Sequence, residues 1–244
     1  MKTANLKSHT TSEMSWNIYF QAFTVRTWRK RLSNLNTFLT PPYILGNTYH
    51  NLRKLQSAHG GSDPGKVGIN EVLEKDINLK ISKQVEKELK NKGYQVVMTR
   101  EKDQMLAGET SGNSKIKDMK ARVDLINEKA PGLAVSIHQN SYHEEEIHGA
   151  QVFYYSHSVE GHTAAKLMQQ ALLGADSENT RQEKANDTYY LLRRTQVPTI
   201  IVECGFLSNQ QEAELLAGKD YQKRIAKAIA TGIDEYLKNA ADGT

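Results

Sequence analysis

Two apolar runs in the sequence end on residues that can do chemistry. Leu133–Ile137 leads directly into His138, and Pro198–Val202 leads directly into Glu203. A buried carboxylate without a partner is very costly, so each needs an explanation. Taken singly, each has an ordinary one. Glu203 can pair with an arginine or cap a helix, and His138 can donate to a main-chain carbonyl. Two further residues stand out. His59 opens the segment His-Gly-Gly-Ser-Asp-Pro-Gly (59–65), whose glycines and Asp-Pro-Gly turn let the backbone approach a ligand closely. Glu74 stands at the start of a helical pattern, where the macrodipole alone favours an acid, as it does for Glu71 and Asp76 nearby.

Together, His59, Glu74 and His138 make a set of two imidazoles and one carboxylate. That is a composition used for catalytic zinc, which keeps a fourth position open for water. A closed structural site would draw four protein ligands, usually thiolates, and Cys204 is the only cysteine. Zinc brings the pKa of its water down to about 7, and hydrolysis then needs a proton acceptor that later acts as donor. Glu203, outside the ligand set, suits that role.

Positioning these groups takes a particular scaffold. Ile77, Ile81, Val85 and Leu89 recur every fourth residue, which predicts a helix over Glu74–Lys92 stopped by Gly93. Tyr94–Thr99 reads as a strand, Asp103–Lys115 as a loop and Ile116–Lys129 as a second helix. Strands follow at Leu133–His138, Ala150–Tyr155 and Pro198–Cys204, with a short edge strand at Tyr189–Leu192. Further helices are expected over Glu160–Leu173, from a Ser208 cap supported by Glu212 to about Leu216, and over Tyr221–Leu237. Strands alternating with long helices imply an α/β fold: a mostly parallel, mixed central sheet with helices on both faces, in a single catalytic domain. In such sheets ligands bind beyond the carboxyl ends of the strands. His138 and Glu203 lie at those ends.

Composition removes several classes. The chain has 244 residues, 38% hydrophobic and 25% charged, and a single cysteine, which excludes a disordered chain and a disulfide scaffold. No stretch reaches the roughly 20 apolar residues of a membrane span, and no secretory signal is readable. The net charge of +4 is uneven: residues 1–57 carry eight basic residues and one acid, so residues 58–244 are mildly acidic. A nucleic-acid partner would need a basic surface with interleaved aromatics on the folded part, and none is expected. Residues 1–57 read as an atypical, basic leading segment whose composition allows disorder, with a break at Thr40-Pro41-Pro42, and 58–240 as the catalytic domain.

From His59 to about Leu237 the chain resembles the zinc-dependent N-acetylmuramoyl-L-alanine amidases of the amidase-3 type. The pieces that carry the likeness are HGGSDPG (59–65), LEKDINL (73–79), GYQVVMTR (93–100), Ala121-Arg122, SIHQNSY (136–142), HGAQVFYY (148–155) and TYYLLRRTQVPTIIVECGFLSN (188–209). SIHQNSY and the segment Asp176–Tyr190 are most similar to the sporulation and germination branch. The resemblance implies His59, Glu74 and His138 as Zn2+ ligands and Glu203 as the catalytic carboxylate. It implies as substrate the amide between N-acetylmuramic acid and L-alanine in peptidoglycan. It also implies an extracytoplasmic place of action and leaves room for an activating protein partner. Asn140 is expected to hydrogen-bond substrate. His143, His148, His157 and His162 are expected to have no site role, and Cys204 to be a small buried residue.

The family usually begins with an apolar strand ending in Asp-Pro-Gly-His. Here Asn51–Ala58 (NLRKLQSA) precedes His59, and no such strand is readable. A sheet short of that strand would aim the first ligand poorly. The alternative reading is therefore a metal-poor relative that binds peptidoglycan or a partner without cleaving it.

Overall fold

The computed structural model describes residues 52–108 and 113–242. The basic cluster Arg26–Arg31 and the Thr40-Pro41-Pro42 break lie outside them.

A strand does precede His59. Leu52–Ser57 forms β1, which pairs in parallel with β2 (Gln95–Met98) on one side and β3 (Leu133–Asn140) on the other. Six residues that the sequence assigns to the leading segment thus lie inside the sheet. Arg53, Lys54, Gln56 and Ser57 hide it from any hydropathy reading, yet all four are buried. Arg53 lays its guanidinium over the Tyr94 ring, 5.1 Å from the centroid, and Gln56 accepts a hydrogen bond from Ser136 on β3.

Beyond β3 come β6 (Thr199–Phe206), β4 (Gln151–Tyr154) and β5 (Lys184–Ala185), giving the order β2-β1-β3-β6-β4-β5. β3 and β6 are parallel, whereas β4 runs antiparallel to β6. The carboxyl ends of β1, β2, β3 and β6 therefore share one edge of the sheet.

Side chains alternate between the two faces with the strand period. Leu133, Val135 and Ile137 of β3, with Ile200 and Val202 of β6, pack on a core shared with α1 (Glu74–Asn91), α3 (Val159–Ala175) and α6 (Lys219–Asp242). The expected inward stripe of α1 is fully used, since Ile77, Ile81, Val85 and Leu89 are all buried. Burying each is worth roughly 1.5–3 kcal/mol. Ala134 and Ile201 face the other way, toward Val123 and Ile126 of α2 (Ser114–Lys129) and Leu191 and Leu192 of α4 (Tyr190–Arg194). α3 and α6 approach closely at Gly232, where a Cβ would stand 2.9 Å from the Met168 Cα.

Two local expectations need correction. Tyr189–Leu192 is not an edge strand: Tyr190–Arg194 is a short helix that buries Leu191 and Leu192 against the sheet. Four consecutive apolar residues suit either form, and packing decides between them. The helix α5 (Gln210–Ala217) is capped by Asn209, whose side chain accepts from Glu212 N; Ser208 Oγ instead accepts from Tyr142 N. The Glu212 carboxylate accepts from Gly149 N and Phe206 N, tying the approach to β4 to the end of β6.

Candidate metal centre

β1 delivers His59 to the carboxyl edge of the sheet. Its backbone takes the left-handed conformation, with φ 59°, and two glycines with positive φ follow, so the chain reverses at once. Gly60 and Asp63 bridge across the turn, which brings the Asp63 carboxylate 2.7 Å from His59 Nδ1. Lys115 Nζ lies 2.7 Å from the other Asp63 oxygen. With Nδ1 engaged in this way, His59 turns Nε2 toward Glu74, 3.3 Å away. A carboxylate or carbonyl on the far nitrogen is the usual means of fixing the tautomer and orientation of a ligating imidazole.

Glu74 is the first residue of α1 and is 2% exposed. Oε2 accepts from Lys66 N at 2.8 Å; Oε1 accepts from Gln139 N at 3.2 Å and from Asn78 Nδ2 at 3.3 Å. His138 Nδ1 lies 3.0 Å from Oε1. Burial pushes the Glu74 carboxyl up, but hydrogen bonds from His138 and His59 outweigh it and hold it well below the usual carboxylate range. Burial pulls the His59 imidazole down, but Glu74 and Asp63 outweigh that and raise it. Gly65 leaves the space the cluster needs. A Cβ there would lie 2.6 Å from Glu74 Oε2 and 2.8 Å from His59 Cδ2, and its φ of 70° also favours glycine.

His59, Glu74 and His138 each offer one donor atom, all within 4.8 Å of one another. Among the described residues they form the only cluster of three or more such side chains with this spacing. Two imidazoles and a carboxylate, with no thiolate among them, suit a hydrolytic zinc. Glu203 stands in register opposite His138 across β3 and β6. It is 7% exposed, and its Oε2 has no hydrogen-bond partner among the described residues. Burial pushes its carboxyl up to about 7.

The remaining candidates separate from this group. Asn140 ends β3, and its side-chain oxygen accepts from Ser141 N at 2.8 Å. His143 pairs with Glu144, and His162 stacks on Tyr154. Cys204 is fully buried, and burial pushes its thiol up, away from any nucleophilic thiolate. The sequence marks Asp63 and Gly65 only as parts of a turn and assigns nothing to Asn78 or Gln139. The His-Gly-Gly-Ser-Asp-Pro-Gly spacing carried a signal for the first two; Asn78 and Gln139 are joined to the site only by the fold.

The comparisons agree with this geometry. The profile of the N-acetylmuramoyl-L-alanine amidase family matches residues 55–235. The germination-specific N-acetylmuramoyl-L-alanine amidase of Bacillus subtilis is 39% identical over 191 residues, covering 77% of this chain and 80% of the relative. The CwlD amidase of Clostridioides difficile, solved in complex with the GerS lipoprotein, superposes with a TM-score of 0.75 at 34% identity, over 78% of this chain and 99% of that one. AmiC2, an N-acetylmuramoyl-L-alanine amidase of Nostoc punctiforme, gives a TM-score of 0.68 at 30% identity, over 78% and 98%. A six-stranded mixed sheet, a His-Glu-His cluster at its carboxyl edge and a family match across most of the described residues place this chain among the N-acetylmuramoyl-L-alanine amidases.

Proposed function

We propose that this amidase hydrolyses the N-acetylmuramoyl–L-alanine amide of peptidoglycan with a zinc ion held by His59, Glu74 and His138 and with Glu203 as the catalytic carboxylate. The observation that carries the reading is the three-donor cluster beside a buried carboxyl oxygen that no group among the described residues satisfies. When bound, zinc supplies Lewis-acid polarisation and a water acidic enough to attack at neutral pH.

The protein's own groups do the rest. Asp63 holds His59 by Nδ1 so that Nε2 faces the site. Main-chain N–H groups of Lys66 and Gln139 fix both oxygens of Glu74. Glu203 takes a proton from the attacking water and delivers it to the alanine nitrogen as the C–N bond breaks. A carboxyl raised to about 7 by burial can serve both halves of that exchange near neutral pH. Asn140, two residues past His138, accepts from Ser141 N through its amide oxygen, and its amide nitrogen is the group we assign to the substrate.

The likeness to the germination-specific relative supports spore cortex or cell-wall remodelling as the setting, outside the cytoplasm. Among the described residues no helix is long and apolar enough to cross a membrane. The GerS complex of the CwlD amidase supports a protein partner for this chain as well.

Digestion of purified sacculi tests the reading. The active amidase releases stem peptides with new L-alanine amino termini, and a chelator stops the release. A non-cleaving relative would bind the sacculi and release none.

A further inference from the structure

The main chain that carries His59 is held by two buried guanidinium groups. Arg122 donates from Nη1 to Ser57 O at 2.6 Å and from Nη2 to His59 O at 2.9 Å. Arg100 donates from Nε to Ser57 O at 3.1 Å and from Nη2 to Ala58 O at 3.1 Å. Three successive carbonyls, 57 to 59, therefore all face this pair. Arg100 also reaches Lys75 O at 2.6 Å, one residue past Glu74, and Lys102 O at 3.0 Å. One planar fork thus ties the segment before His59 to the first turn of the helix that bears Glu74.

Such an arrangement is expensive. Arg100 is 2% exposed and Arg122 is 1% exposed. Asp118 Oδ2 lies 2.6 Å from Arg122 Nε, and its Oδ1 accepts from Ala107 N, while the hydrogen bonds of Arg100 run to carbonyls. Two close, desolvated cations, of which only Arg122 has a carboxylate at ion-pair distance among the described residues, are a poor way to gain stability. They are a good way to hold a specific backbone path, because each guanidinium presents several donors in one rigid plane. The path they hold is an unusual one, with a non-glycine residue at φ 59°.

We propose that Arg100 and Arg122 are positioning residues of the metal centre: together they clamp the main chain of residues 57–59 and set where His59 meets Glu74. The inference rests on the reading of His59, Glu74 and His138 as zinc ligands. Lysine at either position keeps the positive charge and loses the fork.

The test uses the full-length chain with Arg100→Lys and Arg122→Lys. Zinc affinity is measured by competition with a chromophoric chelator, on protein whose circular dichroism shows it folded without metal. The visible absorption of the cobalt-loaded protein reports ligand geometry. Each variant is expected to bind zinc about 10- to 100-fold more weakly, as for loss of an outer-shell support, and to shift the cobalt bands. Zinc affinity and cobalt bands at the unsubstituted values in both variants would overturn the clamp. If neither lysine variant folds, Asp118→Asn leaves both guanidiniums in place and removes the charge that orients Arg122. It is expected to weaken zinc binding and move the same bands, and wild-type values in it would likewise overturn the clamp. Failure of the unsubstituted chain to bind zinc would sink the reading of the site itself, a distinguishable result.

Discussion

His138 and Glu203 face each other in register across two parallel central strands. An imidazole of the donor cluster and a buried carboxyl are therefore fixed relative to one another by the sheet ladder, not by loops. That rigidity matters for proton transfer, which depends on short and constant distances. It also separates the two roles cleanly, because Glu203 lies outside the three-donor cluster. Glu203→Gln is accordingly expected to lower turnover at least 10²- to 10⁴-fold, the usual worth of a positioned acid–base group, with zinc still bound at one per chain. Turnover assays alongside metal analysis check both halves. Retained hydrolysis would remove Glu203 from its role.

His138 is expected to behave differently. His138→Ala takes one of three donors from the cluster and is predicted to cost both metal and activity together. Metal analysis of the purified variant is the check, and an unchanged zinc stoichiometry would be evidence against ligation by this residue.

Gly65→Ala tests the close packing around Glu74. The added methyl would meet Glu74 Oε2 at 2.6 Å, and the positive φ adds strain. We expect about 1–2 kcal/mol of destabilisation from the backbone alone, and a disproportionate loss of zinc affinity because the displaced atom belongs to the proposed zinc site. Chemical denaturation and zinc titration on the same protein separate the two effects. Wild-type zinc affinity in Gly65→Ala would show that the glycine merely makes a turn.

Asp234 gives a pH prediction remote from the site. It accepts from Lys92 Nζ at 2.8 Å, from Tyr94 Oη at 2.5 Å and from Lys238 Nζ at 3.0 Å. Burial pushes its carboxyl up, but these three donors outweigh burial and hold it well below the ordinary value of 3.8. A depressed carboxylate contributes stability that is fully present above the unfolded pKa and is lost as the pH falls toward the folded one. Asp234→Asn is therefore expected to cost about 1–2 kcal/mol at pH 7, after discounting the exposed lysines, and progressively less below about pH 4. Melting curves across that range check it, and a penalty independent of pH would contradict it.

The cluster at the centre of this account was legible because its residues sit at punctuated places: a glycine-flanked turn, a helix start and the ends of apolar runs. The helix stripes were legible for the same reason, since Ile77 to Leu89 repeat with one period and meet one core. β1 was not, because its burial is arranged residue by residue. The Arg53 head stacks on Tyr94 and Gln56 pairs with Ser136, contacts that span 41 and 80 positions of sequence. β5 has two residues, too few for any period to register. Arg100 and Arg122 stood within the pieces that carry the family likeness but without a role, for nothing local says that their acceptors are carbonyls on β1. Local patterns thus placed the three donor residues of the cluster, while the groups hydrogen-bonded around them came from pairings only the fold creates.

The central claim is that one zinc ion is shared by His59, Glu74 and His138. Anomalous scattering at the zinc absorption edge, from crystals of the full-length chain, tests it most directly. We predict a single strong peak within bonding distance of His59 Nε2, a Glu74 carboxylate oxygen and a His138 ring nitrogen, with Glu203 outside the coordination shell. A peak elsewhere, or none among these three side chains in zinc-soaked crystals, would contradict the account.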